Sequence, residues 1–230
     1  MPSISVVLPA YNEEENVPKT VAAVVDVMSG LTTDYEVLVV NDGSRDRTAE
    51  VTTQLALQFP AVKLVNHPAN RGYGAALATG FASATKELVF LTDADNQFDV
   101  SEITKLLPHV GEADLVVGYR APRCDPFHRK LNAYGWNLLV NLLFGPTARD
   151  VDCAFKLFKR EILDHVAVQS RGATFSAEFL VRARRRGYRI KEVPVKHFPR
   201  LAGKPTGARL DVIMRAFREL VCLRLNLTQD

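Results

Sequence analysis

A short apolar run that ends in two carboxylates occupies residues 88–97, with the sequence LVFLTDADNQ. Its uninterrupted apolar and β-branched residues, bounded by polar ones, predict a buried strand. Asp93 and Asp95 follow directly and offer hard oxygen ligands to Mg²⁺ or Mn²⁺, to which Gln97 adds a neutral oxygen. A turn or a helix cap is the alternative interpretation, since Asp and Asn favour both.

Three earlier apolar runs, residues 4–8, 37–40 and 62–65, resemble this one. Apolar residues at helical spacing lie between successive runs, and one such helix is expected from about Gly72 to Ala84. This alternation predicts an α/β fold with a mostly parallel, Rossmann-like central sheet and helices on both faces. Ligands of such sheets bind beyond the carboxyl ends of the strands.

The loops that follow the four predicted strands are all polar. They are residues 9–13 (PAYNE), 41–46 (NDGSRD), 70–74 (NRGYG) and 93–97 (DADNQ). Residues 9–13 contain no glycine, so the dinucleotide-binding pattern is missing at the first turn, and no P-loop pattern occurs. The sequence therefore argues against a hydride-transfer enzyme and against a P-loop ATPase.

Composition and charge bound the possibilities further. The 230 residues are 47% hydrophobic, which suits one globular domain and excludes a disordered chain. The net charge of +3 hides a division, because residues 1–118 carry 7 Lys and Arg against 16 Asp and Glu, whereas residues 119–230 carry 22 against 10. The first half is expected to attract cations and the second to attract anions.

The cysteines and the apolar segments indicate a compartment. Cys124, Cys153 and Cys222 form no Cys-x-x-Cys pair, as expected for reduced thiols in the cytosol. The first residues lack a signal-peptide pattern, and no apolar run reaches the roughly 18 residues of a membrane span. We therefore expect a cytoplasmic protein, in solution or peripheral at the cytoplasmic face of a membrane.

Several motifs, taken together, resemble family 2 glycosyltransferases of the GT-A fold, and more narrowly the dolichyl- or polyprenyl-phosphate sugar synthases. They are LPAYNE (8–13), NDGSRD (41–46), NRGYGAA (70–76), DADNQ (93–97), DVDCAFK (150–156), Glu178 and EVPV (192–195). The resemblance extends over residues 3–205. It implies a metal-dependent inverting enzyme that uses Mg²⁺ or Mn²⁺ and moves sugar from a nucleotide-sugar, of the GDP-mannose or UDP-glucose type, to a polyprenyl phosphate.

The resemblance also implies roles for particular residues. Those expected to bind the nucleotide-sugar are Pro9, Tyr11, Glu13, Asp42, Arg71, Gly72, Asp93, Ala94 and Asp95. The expected metal ligands are Asp93, Asp95 and Gln97, and the expected catalytic residues are Asp95, Arg120, Arg129 and Arg200. The chain departs from the family pattern at Asn41, at Ala133 and in residues 200–206 (RLAGKPT).

The implied domain organisation is a GT-A domain over residues 1–205, followed by a C-terminal amphipathic helix over residues 206–230. Within the domain, residues 1–118 form the nucleotide-sugar half and residues 119–205 the acceptor half. Two amphipathic segments, one around residues 131–142 and one over residues 210–225, have apolar residues at helical spacing near Arg and Lys. Such segments either bind a membrane surface or pack on the sheet, and both interpretations stay open.

The basic residues of the second half are expected in loops or at element ends, where they can position an acceptor phosphate. They are Arg120, Arg123, Arg129, Lys130, Lys156, Arg200 and Lys204. The basic run of residues 182–186 is instead predicted to be a solvated helix face.

Two other functions remain in view. A related transferase that acts on a soluble or polysaccharide hydroxyl would need a general base, for which Glu178 and Asp152 are candidates. A non-enzymatic module that binds nucleic acid or an anionic membrane would have no use for carboxylates at strand ends. We therefore expect no nucleic-acid partner.

Overall fold

A computed structural model describes residues 2–125, 127–200 and 210–227 of the protein. The strands are β1 (Ile4–Ala10), β2 (Tyr35–Asn41), β3 (Val62–Asn66), β4 (Leu88–Thr92), β5 (Leu115–Arg120), β6 (Phe155–Lys159) and β7 (Ile190–Val195). The helices are α1 (Val17–Leu31), α2 (Thr48–Gln58), α3 (Tyr73–Ser83), α4 (Ile103–Leu106), α5 (Phe127–Phe144), α6 (Ile162–His165), α7 (Phe175–Arg185) and α8 (Leu210–Asn226).

The seven strands form one sheet in the order β3-β2-β1-β4-β6-β5-β7. Strands β1 to β4 pair in parallel, as do β5 and β7, whereas β6 is antiparallel to both of its neighbours. The predicted mostly parallel sheet is confirmed. The four predicted apolar runs correspond to β1 to β4.

Helices cover both faces of the sheet and explain why the strands are so apolar. Every residue of β1 and β4 is buried. Helices α1, α2 and α4 contribute to the core on one face, and α3, α5, α7 and α8 contribute to the core on the other. A parallel strand with both faces covered has no side that must be polar, and continuous apolar runs result.

The direction of β6 brings a second set of residues to the functional edge. An antiparallel strand begins where its parallel neighbours end. The register pairs Thr92, the last residue of β4, with Phe155, the first residue of β6. Residues 150–153 therefore lie at the same edge of the sheet as Asp93 and Asp95.

The second half of the chain differs from the sequence-based expectations at two places. Lys156 is not in a loop but is the second residue of β6, where it is buried. Arg182 is not solvated either, since its Nε donates to Oε1 of the buried Glu178 at 2.7 Å. Residues 184–186 are exposed, as predicted.

The two expected halves share the one sheet, and the division between residues 118 and 119 falls inside β5. The last helix, α8, packs Ala216, Leu220 and Leu223 into the core. Lys204 and the other expected residues at 201–209 lie outside the described residues, as do residues 228–230. In the described ranges, no helix combines the length and apolarity needed to cross a membrane.

Candidate functional site

The loops after β1 and β2 interlock at the carboxyl edge of the sheet. Asn12, which adopts a left-handed backbone conformation with φ 56°, donates its N–H to Oγ of Ser44 at 2.9 Å. Its side-chain Oδ1 accepts from the N–H of Arg45 at 2.8 Å. The N–H of Glu14 donates to Oδ2 of Asp46 at 3.1 Å. Hydrogen bonds thus join the first two polar loops into one rim.

Asp42 fastens the third loop to this rim. Its buried carboxylate accepts the N–H of Arg71 at 2.9 Å and that of Gly72 at 2.8 Å. Nδ1 of His67 lies 2.7 Å from the same carboxylate, and Nε2 of His67 lies 2.9 Å from Oγ1 of Thr79. Asp42 therefore sets the position of the backbone at Arg71 and Gly72.

Gly43 is required where these loops meet. Its φ is +65°, and a Cβ at this position would lie 2.2 Å from the carbonyl carbon of Ala69. We expect Gly43→Ala to lower the free energy of unfolding by about 1–3 kcal/mol, because backbone must move. Urea unfolding measures this effect. Gly30→Ala, on α1 with no atom within 4 Å of the new Cβ, is the matched control, and an equal loss in both variants would contradict the prediction.

Asp93 and Asp95 lie side by side at the end of β4. Oη of Tyr73 donates to Oδ1 of Asp93 at 3.0 Å, and the N–H of Gln97 donates to Oδ1 of Asp95 at 3.1 Å. Burial, followed by the negative charge of Asp95, raises the pKa of Asp93 to about 7. Burial also raises the pKa of Asp95. The pair therefore concentrates negative charge that its surroundings only partly offset.

Arg200 joins the carboxylates of two loops. Its Nη1 lies 3.4 Å from Oδ2 of Asp95, and its Nη2 contacts Oε1 of Glu13. Nδ2 of Asn16 donates to the other Glu13 oxygen at 2.6 Å. Burial raises the pKa of Glu13, and the charge of Arg200 opposes that rise. The segment after β7 thus places Arg200 among the residues expected to bind the donor.

The residues present suit a divalent cation that a ligand helps to hold. In the described part of the chain, no group of three or more His, Cys, Asp or Glu side chains has the arrangement of a metal site. Magnesium and manganese sites in phosphate-transfer enzymes commonly use one or two carboxylates, with water and phosphate completing the shell. The mutual repulsion of Asp93 and Asp95 is what such a cation would relieve. Gln97, the third expected ligand, donates its Nε2 to the carbonyl of Phe198 at 3.0 Å.

A cluster of arginines and aspartates faces this pair from the next strands. Nε and Nη2 of Arg120 each donate to Asp150 at 2.6 Å, in a bidentate pair. Nε of Arg123 lies 2.6 Å from Asp125, and Nη1 of Arg129 lies 3.6 Å from it. We call these five side chains the arginine cluster. Three guanidinium groups against two carboxylates leave it net positive.

The arginine cluster and a buried lysine influence the carboxylate pair. Burial alone would raise the pKa of Asp150, but hydrogen bonds from Arg120 outweigh it and hold that pKa below its usual range. The positive charges of Lys156 and Arg120 lower the pKa of Asp93 and so limit its rise. Nζ of Lys156 donates to the carbonyl of Cys153. The apolar residues Phe155, Leu157 and Phe158 around it are the sequence signal that would have placed this lysine in a strand.

The remaining expected residues occupy varied positions. Pro9 and Ala94 are buried, Tyr11 is half-buried beside the first loop, and Arg71 is exposed. A cavity of about 240 Å³ lies next to Asp93 and is lined by Asn96, Phe98 and Phe198 among others. Tyr73 and His67, which hold Asp93 and Asp42, had no role assigned from the sequence.

The two candidate bases differ in what they are free to do. The carboxylate of Glu178 is buried and accepts the N–H groups of Gln169 at 3.0 Å and Ser170 at 2.8 Å, besides its bond with Arg182. Glu178 therefore has a structural task. Asp152 is exposed just before β6.

Comparisons with known proteins agree with this geometry. The family model for glycosyl transferase family 2 matches residues 5–167, so the chain belongs to that family. The fold is that of GT-A enzymes. It is shared with glucosyl-3-phosphoglycerate synthase of Mycobacterium tuberculosis in complex with phosphoglyceric acid, at a TM-score of 0.74 and 21% identity over 98% of this chain and 79% of that one. A second structure of that synthase, with Mn²⁺, uridine diphosphate and phosphoglyceric acid, also has a TM-score of 0.74. Its identity is 20%, over 98% of this chain and 78% of that one.

The sequence relatives lie in the branch that the motifs indicated. The chain is 35% identical over 211 residues to dolichyl-phosphate beta-glucosyltransferase ALG5A of Trichomonas vaginalis. It is 33% identical over 213 residues to ALG5D of the same organism, which is also a dolichyl-phosphate beta-glucosyltransferase. Each match covers 84% of this chain and 65% of the relative, so the chain spans slightly less than two thirds of their length.

Proposed function

We propose that the protein is a metal-dependent inverting glycosyltransferase that moves a sugar from a nucleoside-diphosphate sugar to a polyprenyl phosphate. The observation that carries this proposal is the juxtaposition of the Asp93–Asp95 pair with the arginine cluster at one edge of the sheet. The pair suits the cation that accompanies a diphosphate, and the cluster suits a phosphate acceptor.

On the donor side, the loops after β1 to β4 would bind and orient the nucleotide. Asp42 keeps Arg71 and Gly72 in place, and Tyr73 holds Asp93. Asp93 and Asp95 would hold Mg²⁺ or Mn²⁺, with Gln97 beside them. When bound, the metal would neutralise charge that builds on the departing diphosphate.

On the acceptor side, a phosphate needs positioning more than it needs deprotonation. A phosphate monoester with a second pKa of about 6 is largely ionised at neutral pH and is already a nucleophile. Arg120 and Arg129 would orient it, since a planar guanidinium group can donate to two phosphate oxygens at once. A hydroxyl acceptor would need a general base, and the structural bonds of Glu178 argue against that residue.

The relatives suggest which sugar to test first, and the cysteines suggest a location. The matched relatives are described as dolichyl-phosphate beta-glucosyltransferases, and the structurally similar synthase was solved with uridine diphosphate, so a uridine-diphosphate glucose donor is our first candidate. Cys124 and Cys222 are exposed free thiols, a state that a reducing compartment maintains. We therefore place the reaction at the cytoplasmic face of a membrane.

The direct test is product identification. The purified protein is incubated with Mn²⁺, a polyprenyl phosphate and radiolabelled UDP-glucose or GDP-mannose, and label is measured in the organic-extractable lipid. Labelled lipid is the expected result. Label that enters only a soluble or polysaccharide acceptor would favour the hydroxyl alternative, and no transfer from any nucleotide-sugar would refute the proposed function.

Metal affinity should depend on pH near neutrality. Because the pKa of Asp93 is raised to about 7, this carboxyl is protonated below that pH and ionised above it. A metal binds the ionised form, so we expect Mn²⁺ affinity to be full above about pH 7 and to fall by about tenfold per unit below it. Calorimetry over this range measures the profile. Asp26→Asn, an exposed site on α1, should leave it unchanged, and a flat profile for the wild type contradicts the prediction.

A further inference from the structure

His197, to which the sequence assigned no role, is buried just after β7 and is 4% exposed. Its Nδ1 atom is buried as well, and it forms no hydrogen bond with any described residue. Leaving a buried polar atom without a partner costs free energy, so folded proteins satisfy nearly all such atoms. The Nδ1 atom of His197 therefore requires a partner that the described residues do not supply.

Backbone and ring contacts fix the position of His197. Its main chain forms a β-bridge with Phe98, and its imidazole packs edge to face on the Phe98 ring with the centroids 5.4 Å apart. The N–H of the preceding residue, Lys196, donates to Oε2 of the buried Glu102 at 2.7 Å. The imidazole is thus held in place by the fold, as a binding group must be if it is to contact a ligand in one orientation.

The register of the sheet brings His197 next to the arginine cluster. Arg120 pairs with Val195, which lies two positions before His197, and the N–H of Ala121 donates to the carbonyl of Val195 at 2.9 Å. Burial, followed by the positive charge of Arg120, lowers the pKa of His197 to about 4, and the charge of Asp125 only partly opposes this. The imidazole is therefore neutral at neutral pH and carries a proton on one of its two nitrogens.

The neighbours of His197 favour an anionic partner. Guanidinium groups have donors only, so Arg120 and Arg123 could satisfy Nδ1 if it were an acceptor but not if it carries the proton. Neither of them bonds to it, which agrees with a proton on Nδ1. The carboxylates of Asp125 and Asp150 already accept from these arginines at 2.6 Å. An oxyanion that enters the positive cluster would supply the acceptor that Nδ1–H lacks.

We propose that Nδ1 of His197 donates a hydrogen bond to the acceptor phosphate that Arg120 and Arg129 orient. For the identity of the acceptor this inference rests on the proposed function. A phosphate monoester has three terminal oxygens, so it can contact guanidinium groups and the imidazole at the same time. A neutral donor adds a directional contact without adding charge, and it would help to select the orientation of the phosphate.

The binding of inorganic phosphate and of a short, water-soluble prenyl phosphate tests this role. His197→Phe keeps a ring against Phe98 but removes the nitrogen, and calorimetry should show that both ligands bind about tenfold more weakly or worse, because a hydrogen bond to a charged group is lost. His197→Asn carries its amide nitrogen as many bonds from the backbone as Nδ1, so it should retain most of the wild-type affinity. Binding of uridine diphosphate with Mn²⁺ should be unchanged in both variants.

Two further measurements separate the nitrogen from packing. His165→Phe, at an exposed site on α6, is the matched control and should bind phosphate as wild type does. In protein with ¹⁵N-labelled histidine, the Nδ1 resonance of His197 should shift when inorganic phosphate is added. Urea unfolding reports whether each variant is folded. If His197→Phe is not folded, His197→Gln takes its place and should bind weakly, because its amide lies one bond further from the backbone.

Three results would overturn the role of His197. They are absence of phosphate binding by the wild type, wild-type phosphate affinity in His197→Phe, and an equal loss of affinity in His197→Asn and His197→Phe. The second would mean that water satisfies Nδ1, and the third that the ring matters only for packing. Phosphate binding that depends on His197, without sugar transfer from any nucleotide-sugar, refutes the proposed function alone. Transfer to a prenyl phosphate with a wild-type KM in His197→Phe refutes the role of His197 alone.

Discussion

Asp95→Asn should reduce sugar transfer by about a thousandfold or more, because it removes one of the two carboxylates expected to hold the metal at the diphosphate. The protein should remain folded. Asn has nearly the same shape, and its neutral amide removes the negative charge that, after burial, raises the pKa of Asp93. Initial rates with labelled donor, together with Mn²⁺ affinity and an unfolding curve, measure the three effects.

The control for Asp95→Asn is another Asp-to-Asn substitution, at a position outside the candidate site. Asp26→Asn removes one negative charge from an exposed position on α1, and transfer should stay at the wild-type rate. If Asp95→Asn also keeps wild-type turnover and metal affinity, the metal role of the pair is wrong. A collapse of the fold in Asp95→Asn is not expected, since the contact of Asp95 with Arg200 is 3.4 Å long and weak.

Arg120→Ala should lower both stability and transfer. The side chains of Arg120 and Asp150 are 12% and 9% exposed, and the substitution leaves the carboxylate of Asp150 buried without its bidentate partner. Removing one member of a buried pair costs about 3–5 kcal/mol. Urea unfolding measures this loss. The exposed pair of Arg160 and Asp164 is the comparison, and Arg160→Ala should cost no more than about 1 kcal/mol.

A double substitution separates the structural from the functional role of Arg120. Replacing a buried ion pair by apolar residues of similar volume often restores stability. Arg120→Met with Asp150→Leu should therefore regain much of the lost unfolding free energy, whereas transfer to polyprenyl phosphate should stay low. Recovery of transfer along with stability would show that Arg120 acts only through the fold.

The donor edge could be predicted from the sequence because its information is local. Continuous apolar runs marked β1 to β4, and the parallel-sheet rule then brought the loops with Asp42 and Asp93 to one edge. The partners of these residues were less accessible. The bonds from Asp42 to Arg71 and Gly72 depend on the path of a loop, which a strand pattern does not determine.

The residues of the acceptor side are brought together by long-range packing, which a local sequence pattern does not reveal. Strand β6 was hard to predict because it contains the buried Lys156, and charged residues are rarely found inside a sheet. The direction of β6 follows from how the whole sheet assembles, not from its five residues. Arg200 reaches Glu13 across 187 positions of sequence. Expected acceptor residues were named, but their ion-pair partners, such as Asp150, were not.

The reversed β6 also bears on how such a chain can diverge. The residues expected to serve the donor come mainly from before residue 98, whereas the arginine cluster comes from residues 120–150, so sequence change in one stretch leaves most of the other intact. Between them, β4 and β6 are joined by backbone pairing from Leu88 with Lys159 to Thr92 with Phe155. This pairing joins backbone groups and does not depend on side-chain identity. An ancestral chain of this design could exchange acceptors by mutation after β4 while inheriting its donor chemistry unchanged.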